Sequence, residues 1–212
     1  MTGPGRAVDC AAMSDVARIL FSASDIRRRV RQLGRQITAD HAGGSPVLVS
    51  ILKGGAVFLS DLIRQIPLPV RVDFMSISAY GGDSEASGGV VRILKDLDQP
   101  IGGEHVIVVE DIVDTGLTLS YLLSALEERG PASIEVCTLL DKTARRIPVV
   151  PIRYQGFECP DRFVVGYGLD FAERYRNLPD ILEVLDLAAL QADPDVLTSF
   201  LHGEPPVPAD AG

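Results

Sequence analysis

Residues 106–118, VIVVEDIVDTGLT, constrain this chain more than any other stretch. A continuous apolar run such as VIVV is the pattern of a parallel strand covered on both faces, where side chains pointing either way meet core rather than water. Glu110 and Asp111 sit at the tip of that strand. The turn Asp114-Thr115-Gly116-Leu117-Thr118 then leads into a helix carrying Leu119, Leu122, Leu123 and Leu126, which stops at Gly130-Pro131. Strand, glycine-bearing turn and helix in this order form the repeating unit of an α/β fold, whose ligands bind beyond the carboxyl ends of the strands.

The rest of the chain repeats that alternation. Ile26, Val30, Leu33 and Ile37 recur at the spacing of one helix face, so a helix is expected over about 24–39, capped by Ser22 or Ser24. Its arginines, Arg27, Arg28, Arg29, Arg31 and Arg35, read as a solvated face. PVLVSI from Pro46 reads as a buried strand, and KGG opens a helix with Leu59, Leu62, Ile63 and Ile66. Further strands are expected at 70–79, 90–94, 134–140 and 162–167, with a flexible Gly, Ser and acid stretch at 81–89. The expected fold is α/β, a mostly parallel twisted sheet flanked by helices. Residues 1–21 read as a flexible arm, 22–186 as one domain, and 187–212 as an acidic, Pro-rich extension with a mobile end. From Asp186 onward there are five acids and no Lys or Arg.

Charge and cysteine usage exclude several classes. Twenty Lys and Arg against 29 Asp and Glu give a net charge of −9, which disfavours binding to nucleic acid or anionic lipid. Cys10, Cys137 and Cys159 form no CxxC pair, so neither a disulfide framework nor a structural zinc site is supported. No apolar run approaches the ~20 residues of a membrane span, and the N-terminal stretch lacks the pattern of a secretory signal. The expectation is a soluble, cytoplasmic, acidic protein.

Chemistry concentrates after the strand at 106–109. Gly116 permits a tight turn and a close backbone approach to a ligand. The first amides of the following helix, with the hydroxyls of Thr115 and Thr118, make a phosphate cradle. Two adjacent carboxylates beside a phosphate need a partner, which the residues leave open between Mg²⁺ and the hydroxyls of a sugar. Asp114 projects from the turn and is placed to accept or donate a proton.

This segment resembles, position by position, the signature of the type I phosphoribosyltransferases, which bind 5-phosphoribosyl-1-diphosphate (PRPP). Leu52-Lys53-Gly54-Gly55 resembles their pyrophosphate loop, and SAYGG with the stretch after it resembles their mobile catalytic loop. LLDK, ending in Lys142, and FVVGYGLDFAERYRNL at 163–178 resemble the purine-reading strand and hood of the hypoxanthine-guanine members. The resemblance runs from about the first helix to about Leu185. It implies the type I fold, with a small hood formed by the N- and C-terminal segments.

Carried over residue by residue, the resemblance implies that Glu110 and Asp111 hold the ribose hydroxyls and Mg²⁺. Thr115, Gly116, Leu117 and Thr118 would grip the 5′-phosphate, and Asp114 would face purine N7 and manage its proton. Lys142 would donate to the exocyclic O6, Phe163 would stack on the base, and Val164 would offer main-chain groups to its edge. Asp170 would line the purine site and help hold a second Mg²⁺. Lys53, Gly54, Tyr80 and Arg176 would bind pyrophosphate, and the peptide joining Leu52 to Lys53 can be cis in the family. Two departures stand out: Ala79-Tyr80 replaces a Ser-Tyr pair, and Leu117 stands where some members carry Lys.

The implied reaction is Mg²⁺-dependent transfer of the phosphoribosyl group from PRPP to N9 of hypoxanthine or guanine, giving IMP or GMP and pyrophosphate. The implied assembly is a homodimer or homotetramer. The rivals are a transferase for xanthine or another base, and a regulator that senses PRPP or a nucleotide without turnover. His41, His105 and His202 fall outside every motif.

Overall fold

Strand β2 (Val47–Leu52) and strand β5 (His105–Val113) carry the apolar runs 47–49 and 106–109, and they lie side by side and parallel at the centre of a six-stranded sheet. The computed structural model describes residues 15–80 and 90–202, without the side chains of 79, 80, 90 and 91. The remaining elements are β1 (Ala17–Phe21), α1 (Ala23–Asp40), α2 (Gly55–Ile63), β3 (Arg71–Tyr80) and β4 (Val90–Lys95). They continue through α3 (Leu117–Glu127), β6 (Ser133–Asp141), β7 (Tyr154–Glu158), β8 (Phe163–Val165), β9 (Ile181–Val184) and α4 (Leu187–Ala192).

The chain divides into two compact units, residues 24–161 and residues 1–23 with 162–212. The first holds the sheet β4-β3-β2-β5-β6-β7, in which every pairing is parallel except β3 with β4. Val47, Val49 and Ile51 of β2 join Val106 and Val108 of β5 in one core with Leu119, Leu122 and Leu126 of α3. The alternate residues Leu48, Ile107 and Val109 are equally buried, and α2 packs against the same two strands. A strand covered on both faces has no polar side to show, which is why these two read as unbroken apolar runs. In α1, Ile26, Val30, Leu33 and Ile37 are all buried, as their spacing predicts.

The second unit is the antiparallel sheet β1-β9-β8, built from both ends of the chain. Its core joins Ala17, Val165, Leu182 and Val184 to Tyr175, Leu178, Leu190, Leu197 and Phe200. Glu183 is buried and paired with Arg18 at 2.7 Å and Arg162 at 3.4 Å. Two expectations need correcting here. Residues 17–21, expected in a flexible arm, are strand β1. Residues 187–202, expected in an extension, include α4 and a 3₁₀ turn that deliver Leu190, Leu197 and Phe200 to the core. The stretches 1–14, 81–89 and 203–212, which include the expected catalytic loop, lie outside the described residues. Among the described residues no helix is long and apolar enough to cross a membrane.

Candidate active site

Strand β5 extends to Val113, so Glu110 and Asp111 are its sixth and seventh residues of nine rather than its tip. The backbone then turns through Asp114, Thr115 and Gly116 into α3, which begins at Leu117. Gly116 caps that helix with φ +81°, a left-handed conformation that costs a residue with a Cβ and costs glycine nothing. A Cβ there would also lie 2.6 Å from Arg146 Cδ. The Ser120 amide donates to Gly116 O at 2.9 Å, and the Leu117 amide makes only a long contact to Thr115 Oγ1 at 3.5 Å, which an anion can replace. Glu110, Asp114, Thr115, Gly116 and Thr118 line a cavity whose apolar wall includes Ile51 and Ile77. Leu117, half exposed, is not among its walls.

The two carboxylates differ. Glu110 is 8% exposed, and no basic side chain among the described residues pairs with it. Burial first, and the Asp111 carboxylate second, push its carboxyl well above the ordinary range. Asp111 is less buried and accepts from the Ile112 amide at 2.8 Å. A buried, unpaired carboxylate next to a second one is a donor set suited to a hard divalent cation. Asp170 is different: its carboxylate meets Arg176 Nη2 at 2.8 Å and accepts from the Glu173 amide at 2.9 Å. Among the described residues no three or more His, Cys, Asp or Glu form a ready-made metal cluster.

Asp114 and Lys142 come together. Lys142 follows β6, is 6% exposed, and places Nζ 3.2 Å from Asp114 Oδ2. The other oxygen, Oδ1, lies 2.9 Å from Arg145 Nε. Sequence reasoning missed Arg145, although LLDKTARR holds the signal: a 3₁₀ turn at Thr143–Arg145 returns residue i+3 to the side of Lys142. It also missed the buried Arg146–Asp141 ion pair that backs Gly116.

The pyrophosphate residues fall in two places. Lys53 and Gly54 lie between β2 and α2 within the larger unit, where the Leu52–Lys53 peptide is cis. Tyr80 ends β3, and its side chain lies outside the described residues. In the smaller unit Arg176 donates to Gly168 O at 2.7 Å as well as pairing with Asp170. Phe163 is 40% exposed on β8 and meets Phe171 edge-on at 6.0 Å, so it is not a core residue. The Val164 side chain is buried, but among the described residues β8 is an edge strand whose outer side has no neighbour in the sheet.

The phosphoribosyl transferase domain family matches residues 19–172. The chain belongs to the hypoxanthine-guanine phosphoribosyltransferase family. A Mycobacterium avium hypoxanthine-guanine phosphoribosyltransferase is 50% identical over 170 residues, covering 77% of this chain and 83% of that protein. The Bacillus subtilis (strain 168) hypoxanthine-guanine phosphoribosyltransferase is 45% identical over 167 residues, covering 79% of this chain and 92% of its own. A crystal structure of a hypoxanthine-guanine phosphoribosyltransferase from Bacillus anthracis superposes with a TM-score of 0.76 at 46% identity, over 80% of this chain and 99% of that one. A Staphylococcus aureus hypoxanthine phosphoribosyltransferase gives 0.78 at 43% identity, over 82% and 94%. These phosphoribosyltransferases share the mixed, mostly parallel sheet flanked by helices described above.

Proposed function

We propose that this chain transfers the 5-phosphoribosyl group from PRPP to N9 of hypoxanthine or guanine, a purine-salvage reaction that gives IMP or GMP and releases pyrophosphate. The observation that carries this reading is the side-by-side placement of Lys142 and Asp114, 3.2 Å apart at the mouth of the phosphate turn. A 6-oxopurine presents O6, an acceptor, beside N7, and a donor next to a proton acceptor matches that edge. Adenine presents an amino group, a donor facing a donor, so the base offers Lys142 no acceptor in exchange for Asp114.

The residues then divide the work. The amides and hydroxyls from Thr115 to Thr118 hold the 5′-phosphate, with the left-handed Gly116 letting the backbone close on it. Asp114 accepts the N7 proton as N9 becomes nucleophilic. Lys142 fixes O6, Phe163 covers the base, and the outer edge of β8 at Val164 offers it main-chain groups. Lys53, the Gly54 amide, Tyr80 and Arg176 bind the pyrophosphate as it departs. Glu110 and Asp111 would hold a divalent cation, Mg²⁺, together with the ribose hydroxyls, and that ion would supply charge neutralisation for the pyrophosphate. Asp170, paired with Arg176 at 2.8 Å, would have to give up that ion pair to help hold a second ion. Leu117 leaves the phosphate cradle without the lysine some members carry. The working form is a cytoplasmic homodimer or homotetramer.

The test is pyrophosphate release by the purified chain with PRPP and Mg²⁺, offered hypoxanthine, guanine, xanthine and adenine separately. Turnover with hypoxanthine or guanine but not adenine is the expected result. Turnover with none of them, in protein that binds PRPP, would overturn the reading.

A further inference from the structure

We infer that Arg145 is a positioning residue that orients the Asp114 carboxylate toward the base, an inference that rests on the function proposed above. Two backbone hydrogen bonds stitch the turn after β6 to the phosphate turn. The Lys142 amide donates to Val113 O at 3.0 Å, and the Ile147 amide donates to Thr115 O at 2.9 Å. Asp114 lies between the two acceptors, and Lys142 and Arg145 lie within the span closed by the two donors. Both of its oxygens are therefore met by cations from one short segment, Oδ2 by Lys142 Nζ at 3.2 Å and Oδ1 by Arg145 Nε at 2.9 Å.

The two cations have different tasks. Lys142 must turn to O6 when a base arrives, so its hold on Oδ2 is exchanged for the ligand. Arg145 has no such duty. Its guanidinium reaches Asp161 Oδ1 through Nη1 at 3.3 Å, so the planar group is anchored at both ends. Held this way, Asp114 keeps Oδ1 on Arg145 and presents Oδ2 to the base, which removes the rotational freedom a lone carboxylate would have. Arg146 plays no part in this, since it turns inward to Asp141 behind Gly116.

The experiment is a double-mutant cycle on the full chain, read in steady-state kinetics with hypoxanthine and PRPP varied separately. Arg145→Ala is expected to lower kcat/KM for hypoxanthine about 10-fold, the scale of one close, partly buried ion pair, while KM for PRPP stays within about 2-fold. Arg145→Lys, which keeps the charge without the planar fork, recovers part of the loss. In an Asp114→Asn background, Arg145→Ala costs less than about 2-fold, because the group it orients is gone. Full activity in Arg145→Ala, or the same loss with and without the Asp114 carboxylate, would overturn the inference while the proposed function stood. No turnover in the parent protein would remove the functional reading, and this inference with it.

Discussion

The two units solve the problem of a tight functional turn by different means. In the larger unit the turn from β5 to α3 leaves the ordinary backbone regions once, at Gly116, where glycine makes the conformation free. In the smaller unit the segment from 166 to 176 leaves them repeatedly, and Tyr167, Ala172, Glu173 and Tyr175 all carry positive φ. Each such residue costs on the order of 1 kcal/mol, so the surroundings must impose the shape. They do so through side chains: Asp170 takes the Glu173 amide, Arg176 donates to Gly168 O, and Tyr175 Oη donates to Pro194 O. Arg174 also pairs with Asp195. The phosphate turn is thus shaped by its own glycine and the sheet beneath it. The 166–176 segment is shaped partly by the C-terminal stretch that follows β9.

The largest expected effects come from placing a methyl group where backbone already stands, once in each unit. At Gly156 of β7 a Cβ would lie 2.2 Å from Leu139 O of β6. At Gly166 it would lie 2.1 Å from Asp180 O, and φ there is +101°. Gly156→Ala and Gly166→Ala should each destabilise by about 3 kcal/mol, the upper end of ordinary overpacking. Hydrogen exchange followed by mass spectrometry separates them. Gly156→Ala should speed exchange in 24–161, and Gly166→Ala in 15–23 and 162–202. Equal acceleration across the whole chain in both variants would break the distinction between the units.

Next in size is the catalytic effect within the larger unit. Asp114→Asn keeps the shape of the turn and removes the proton acceptor, so kcat should fall at least about 10-fold while the melting temperature changes little. An unchanged kcat would remove Asp114 from proton transfer.

These two regions were also unequally legible from the amino-acid sequence. β2, β5, α1 and α3 stood out because burial on a fixed period leaves a long apolar signature, and 106–118 added a motif whose parts must occur in order. β1, β7 and β9 are four or five residues long, too short for alternation to be seen against chance, and their burial depends on partners far away in sequence. The tail, read as an acidic, Pro-rich extension with a mobile end, delivers Leu190, Leu197 and Phe200 to the core, three apolar residues too widely spaced to signal it. Lys142 and Asp170 were found by resemblance alone, since a lysine at a strand end and an acid in a loop are individually unremarkable. Arg145 was missed because its partner, Asp114, is 31 positions away, and its i+3 spacing from Lys142 becomes a signal only once the 3₁₀ turn at Thr143–Arg145 is known.

A smaller effect sharpens the assignment of base reading to the larger unit. Lys142→Ala should cut the preference for hypoxanthine over adenine by about 10-fold in kcat/KM, the scale of one lost donor to a base edge. Competition between the two bases in a single reaction measures the ratio directly. An unaltered ratio would move the discrimination elsewhere, to the edge of β8.

The smallest effect concerns stability, and it has the opposite sign. Glu110 is buried without a basic partner among the described residues, and burial, with Asp111 beside it, raises its carboxyl above the ordinary range. A carboxyl that holds its proton more tightly when folded opposes folding once pH exceeds its unfolded value. The opposition grows as pH rises toward the folded value and then levels off. Below about pH 4, where both states are protonated, it vanishes. Glu110→Gln removes the charge and nearly keeps the shape, so in the presence of chelator it should raise the melting temperature by a few degrees at pH 7 and leave it unchanged near pH 4. The same variant should weaken Mg²⁺-supported turnover, because the carboxylate that strains the free protein is the one a divalent cation would neutralise. A melting temperature that failed to rise at pH 7 would mean that Glu110 already has its compensating partner inside the protein, and the case for a cation there would rest on Asp111 alone.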